Sequence, residues 1–90
     1  MRIMELTNRL YSLNEDLTIY AKKPWTCESK VELLIEPEDG SLPTGLSDDF
    51  EYFLEVFIAK DIIPNLSHIE PSYTLEQWAL KLILYAEDDA

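Results

Sequence analysis

The chain has 90 residues, 47% of them hydrophobic, with 18 acids against 7 bases and a formal net charge of −11. That length holds one domain, expected to span residues 1–90, and the apolar and aromatic content excludes a disordered acidic tail. The charge argues against direct nucleic-acid binding, which needs a Lys and Arg surplus to neutralise phosphate, and against an anionic membrane surface.

Arg2, Glu5 and Arg9 interrupt the apolar stretch a signal peptide would need at the start. Ile3, Leu6, Leu10 and Leu13 fall at helical spacing instead, which predicts an amphipathic helix over residues 2–13. Asn14-Glu15-Asp16 ends it. Leu17 to Lys22 is β-branched and aromatic in its middle and reads as a strand, closed by Pro24. Val31 to Glu36 alternates with a period of two, Val31, Leu33 and Ile35 on one face and Glu32, Leu34 and Glu36 on the other. Pro37 stops that strand. Residues 37–47 hold both glycines and two of the five prolines, a long connection of the kind that carries function.

A second alternating run goes from Phe50 to Ile58 and predicts a strand antiparallel to 31–36. Its parity sets Glu51, Phe53, Glu55 and Phe57 opposite Phe50, Tyr52, Leu54, Val56 and Ile58. A short helix is expected from Asp61, with Pro64 in its first turn if Asp61 is the N-cap, or breaking it if it begins at Ala59. Glu70-Pro71-Ser72 reads as a turn. Thr74 and Gln77 match a capping box opening a last helix, whose apolar face of Leu75, Trp78, Ala79, Leu82, Tyr85 and Ala86 is widened by Leu80, Ile83 and Leu84. The expected fold is α+β: a small three-stranded antiparallel sheet packed with an N-terminal helix and two C-terminal helices. The longest apolar run, Leu82 to Ala86, is far below the roughly 20 residues a membrane span needs. With Cys27 as the one cysteine, a cytoplasmic protein is expected.

The charge is unevenly distributed. Residues 1–35 hold five acids and five bases, whereas residues 36–90 hold thirteen acids and two bases and so carry the whole −11. Glu36 to Glu55 contains seven acids and no base. If the strands at 31–36 and 50–58 are neighbours, Glu32, Glu36, Glu51 and Glu55 line one surface interleaved with aromatics. Like charges placed opposite each other destabilise a sheet, so such a surface suits a cationic partner. Asp48 and Asp49 would add charge, and Phe53, together with Phe57, an apolar anchor. Solvated acids that only maintain solubility are the plainer reading of any single carboxylate.

Few motifs carry chemistry. Cys27 and His68, forty-one residues apart, are the one conceivable nucleophilic pair, and a half-buried thiol with a loop histidine explains them better. One Cys and one His give no zinc spacing, and Glu36-Pro37-Glu38-Asp39-Gly40 lacks the ladder and distal Glu of a calcium loop. No metal or cofactor is expected. Lys22-Lys23-Pro24-Trp25 reads as a loop whose Trp25 plugs the core rather than a platform for single-stranded nucleic acid.

Three stretches carry a resemblance: Leu17 to Trp25, Tyr52 to Ile63, and Leu84 to Ala90. With them, from about Leu6 to Ala90, the chain resembles a family of short bacterial proteins with an uncharacterised domain. That family is similar to immunity proteins of polymorphic and contact-dependent growth-inhibition toxin systems. The resemblance implies a non-enzymatic, stoichiometric inhibitor of a cognate toxin and transfers no functional residues. The charge layout points to a nuclease as that toxin and to Glu32, Glu36, Asp48, Asp49, Glu51, Phe53 and Glu55 as the contact surface. The free chain is then expected as a monomer or weak dimer. One alternative is an acidic nucleic-acid mimic that blocks a host or phage-defence DNA-binding protein. Another is a small hydrolase with clustered carboxylates, which requires a deep pocket.

Overall fold

The computed structural model describes residues 1–63 and 74–89, so Pro64, His68 and the turn expected at 70–72 lie outside the described residues. Ile3, Leu6 and Leu10 do fall on one buried stripe, of helix α1 (Ile3–Arg9) and the 3-10 turn Leu10–Ser12 that continues it. Strands β1 (Thr18–Lys22), β2 (Val31–Leu34) and β3 (Phe50–Glu55) form one antiparallel sheet in the order β2-β1-β3. Helices α2 (Val56–Ile62) and α3 (Leu75–Asp89) complete the α+β architecture expected from the sequence. The capping box opens α3 as expected: the Gln77 N–H donates to Thr74 Oγ1 at 3.1 Å and the Thr74 N–H to Gln77 Oε1 at 2.8 Å.

The core lies on the sheet face that carries Ile19 and Ala21, against α1, α2 and α3. Leu6, Leu54, Val56, Ala59, Ala79 and Leu82 are fully enclosed there. Trp25 plugs the side of this core, its Nε1–H donating to the Ala21 carbonyl at 3.2 Å and its ring edge-on to Phe53 at 5.0 Å. Tyr20 points to the other face yet is only 1% exposed. Going from β2 to β3, residues 35–49 must cross β1, and Thr44 to Ser47 lie against Glu32, Leu34 and Phe50 on that face. Gly40 and Gly45 turn this connection with φ of +76° and +90°, where a side chain would strain the backbone.

Four expectations are corrected. The strands at 31–36 and 50–58 are not neighbours, because β1 pairs with both and separates them. The run 50–58 is a strand only to Glu55. From Val56 on, Val56, Ala59 and Ile63 bury one face at helical spacing, so α2 ends near Asp61, where a helix was expected to begin.

Within β3 the register against β1 slips between Ile19 and Tyr20: Leu54 is opposite Ile19 and Tyr52 opposite Tyr20, which leaves Phe53 as the extra residue of a bulge. A bulge reverses alternation beyond it. Phe53 therefore enters the core at 1% exposure, and Glu51 and Glu55 fall on opposite faces. Finally, Leu80 and Leu84 do not widen the buried face of α3 but point outward, with Leu84 66% exposed.

The register has a direct thermodynamic check. Phe53→Ala should cost about 3–5 kcal/mol in urea unfolding, as for a buried aromatic, while Phe57→Ala should cost less than about 1 kcal/mol. Uninterrupted alternation would instead make the two losses equal.

Candidate functional site

Antiparallel order with β1 in the centre brings the start of β1 to the ends of both its neighbours. Every acid at those three positions is therefore gathered at one end of the sheet. Glu15 and Asp16 precede β1, Glu36 follows β2 and Glu55 ends β3, and together they line a cleft of about 240 Å³ with Leu17, Thr18, Ile35 and Phe57. Ile35 is 72% exposed and Phe57 48% exposed. Lys60 is a cation beside this end. Its Nζ donates to the Leu13 carbonyl at 2.8 Å and stands 3.8 Å from Glu15 Oε1. Asp16, Glu36 and Glu55 make no ion pair among the described residues.

The opposite end of the sheet reverses the pattern. There β1 leaves through Lys22 and Lys23, and β3 arrives through Asp49 and Glu51. Lys22 Nζ is 2.9 Å from Asp49 Oδ2 and Lys23 Nζ 2.7 Å from Glu51 Oε2. The hydrogen bond from the Lys22 ammonium holds the Asp49 carboxyl below its ordinary range. Arg2 and Lys30 sit at this end too, joined by an isolated bridge between their backbones, and Arg2 Nε reaches Glu28 Oε2 at 3.2 Å.

The seven site residues expected from the sequence thus divide. Glu36 and Glu55 converge in the acidic cleft. Glu32 lies on the neighbouring patch, in a second cleft of about 270 Å³ under Thr44 to Ser47. Asp48 is exposed on the connection. Asp49 and Glu51 are paired with lysines at the far end, and Phe53 is core rather than anchor. Phe57 supplies the exposed ring at the cleft instead.

The neutral sum of the first third of the chain hides Glu15 and Asp16, which come to the end of the sheet away from Lys22, Lys23 and Lys30 only once β1 is placed. Tyr20 was missed as well. Its hydroxyl is buried and has no hydrogen-bond partner among the described residues, and burial, with Glu36 adding to it, pushes its pKa up.

Cys27 is half-buried, with its Sγ 3.6 Å from the Glu76 carbonyl. Burial first, then Glu76 and Glu28, push its thiol pKa up, which is the reverse of what an activated nucleophile needs. No group of three side chains among the described residues is placed to hold a metal ion, and no described helix is long and apolar enough to cross a membrane.

In comparison with known proteins, no family model, no curated protein and no solved structure matches the chain.

The Cys27 environment predicts its reactivity. Because the folded pKa is raised, less thiolate is present near pH 8 than in the unfolded chain. Iodoacetamide should therefore modify the folded protein several-fold more slowly than the urea-unfolded one, and the folded rate should keep climbing above the pH at which the unfolded rate levels off. Equal rates would contradict the burial.

Proposed function

We propose that this chain is a stoichiometric inhibitor that captures a cationic protein through the acidic end of its sheet. The toxin-neutralising role implied by the sequence resemblance is the form in which we put it forward. One observation carries the reading: four carboxylates from three separated chain segments surround two exposed apolar side chains, and among the described residues only Glu15 of the four has a cation partner, while Asp49 and Glu51 at the far end are each paired with a lysine. Gathering like charges costs stability and gives the fold nothing in return, which is the usual signature of a surface kept for a partner. A nuclease toxin fits such a surface, because a site that binds phosphate is cationic. Electrostatic steering can raise association rates by roughly 10–1,000-fold. Phe57 and Ile35 then supply the desolvated contact that slows dissociation.

The mimic alternative is less well supported. Imitating a nucleic-acid backbone needs carboxylates spaced along an extended surface, whereas here they share one small cleft beside apolar groups. A mimic would also compete with DNA for several unrelated proteins, and an inhibitor of one toxin would not.

The primary test is co-expression with the toxic domain of a neighbouring gene. Growth should be rescued by the native chain, and unchanged killing overturns the reading. With a partner in hand, Glu36→Lys combined with Glu55→Lys should slow association by about tenfold or more at low salt. Asp49→Asn combined with Glu51→Gln should change it by less than about threefold. Association that weakens little between low and physiological salt would remove the steering mechanism.

A further inference from the structure

The sheet has an open edge beside the cleft. The Lys22 N–H donates to the Lys30 carbonyl, which fixes the phase of the β1–β2 ladder: Lys30, Glu32 and Leu34 turn their backbone groups to β1, and Val31, Leu33 and Ile35 turn theirs outward. The outward N–H of Val31 is taken by the Met1 carbonyl at 2.9 Å, where the N-terminal backbone bridges the start of β2. Leu33 and Ile35 have no such partner among the described residues. The N-terminal backbone thus covers one rung of this edge, and among the described residues nothing is bonded to the next ones.

An exposed strand edge is a template for another strand. The side chains around it specify what that strand must look like. On one face it meets Glu32, with Glu36 just beyond the end of β2; on the other it meets Leu33 and the exposed Ile35. A second copy of this chain is a poor occupant, since it would bring its own Glu32 and Glu36 against these and carries the same net charge of −11. We infer that the cationic partner adds an extended segment to β2 as a fourth strand, alternating Lys or Arg toward Glu32 and Glu36 with β-branched residues toward Leu33 and Ile35.

This inference rests on the proposed capture of a cationic protein and goes further in naming the element that is captured. In that arrangement the main-chain bonds at Leu33 and Ile35 supply affinity, and alternation of charge and apolar bulk supplies selectivity. The acidic cleft, which contains Ile35 and Glu36 itself, lies in line with the added strand.

The test uses the full chain and two short, capped synthetic peptides of identical composition. One alternates lysine with valine, and the other has its lysines and valines in separate blocks. Backbone amide exchange is followed by NMR during titration. The alternating peptide should slow exchange at Leu33 and Ile35 by at least about tenfold and leave Val31, already bonded, unchanged.

Ile35→Pro removes one outward donor at an exposed position where proline is tolerated, and should weaken the alternating peptide by about tenfold. Should that variant lose its fold, N-methylation of the peptide's central valines tests the same bonds from the other side, with the same expected loss. If both peptides bind equally and the two amides exchange as in the free protein, strand addition is overturned while capture by the acidic cleft stands. If neither peptide binds, both readings fall.

Discussion

Strand β1 is hydrogen-bonded along both edges, and the rest of the molecule is arranged around that fact. Because its neighbours both run against it, its start adjoins their ends and its end adjoins their starts. Whatever the sequence places at those six strand termini is sorted into two groups, whatever its position along the chain. Here the sorting is electrical. Glu15, Asp16, Glu36 and Glu55 collect at one end, and Lys22 and Lys23 meet Asp49 and Glu51 at the other. The two-sided pairing of β1 also explains its burial. Helices cover Ile19 and Ala21, and on the other face Tyr20, 1% exposed, meets the Tyr52 ring edge-on at 6.5 Å.

Much of this fold is written locally. The helical spacing of Ile3, Leu6 and Leu10, the Thr74–Gln77 box, and the alternation of Val31 to Leu34 each depend on neighbours a few residues away, and each is legible for that reason. What is not legible depends on pairing across long separations. An alternating run says that a segment is a strand, but not which strand lies beside it. The bulge at Phe53 leaves no local trace, since Glu51-Tyr52-Phe53-Leu54-Glu55 alternates on paper; only the register against Ile19 and Tyr20 shows that one residue is extra. That single residue converts an expected surface anchor into core and sends two expected partners, Glu51 and Glu55, to opposite faces.

The change from strand to helix at Val56 was nearer to being readable. Val56, Ala59 and Ile63 already have helical spacing, but Phe57 and Ile58 are also apolar and let the period of two persist for three more residues. The acidic site was half legible for a related reason. A stretch without bases from Glu36 to Glu55 located an anionic region, yet charge read along the chain ignores lysines that the fold brings in from elsewhere. Lys22 and Lys23 neutralise the part of that stretch nearest them, and the unneutralised part is completed by Glu15 and Asp16 from the segment that summed to zero.

Everything functional depends on one asymmetry: among the described residues Asp16, Glu36 and Glu55 make no ion pair at one end of the sheet, while Asp49 and Glu51 are paired with lysines at the other. It can be measured without any partner, as urea stability at low salt and at about 0.5 M salt. Neutralising Glu36 and Glu55 to glutamine should stabilise the chain at low salt, with the gain fading as salt screens the repulsion. Neutralising Asp49 to asparagine and Glu51 to glutamine should not stabilise it at either salt concentration. Destabilisation by the Glu36 and Glu55 changes, or the same response at both ends, would contradict the asymmetry.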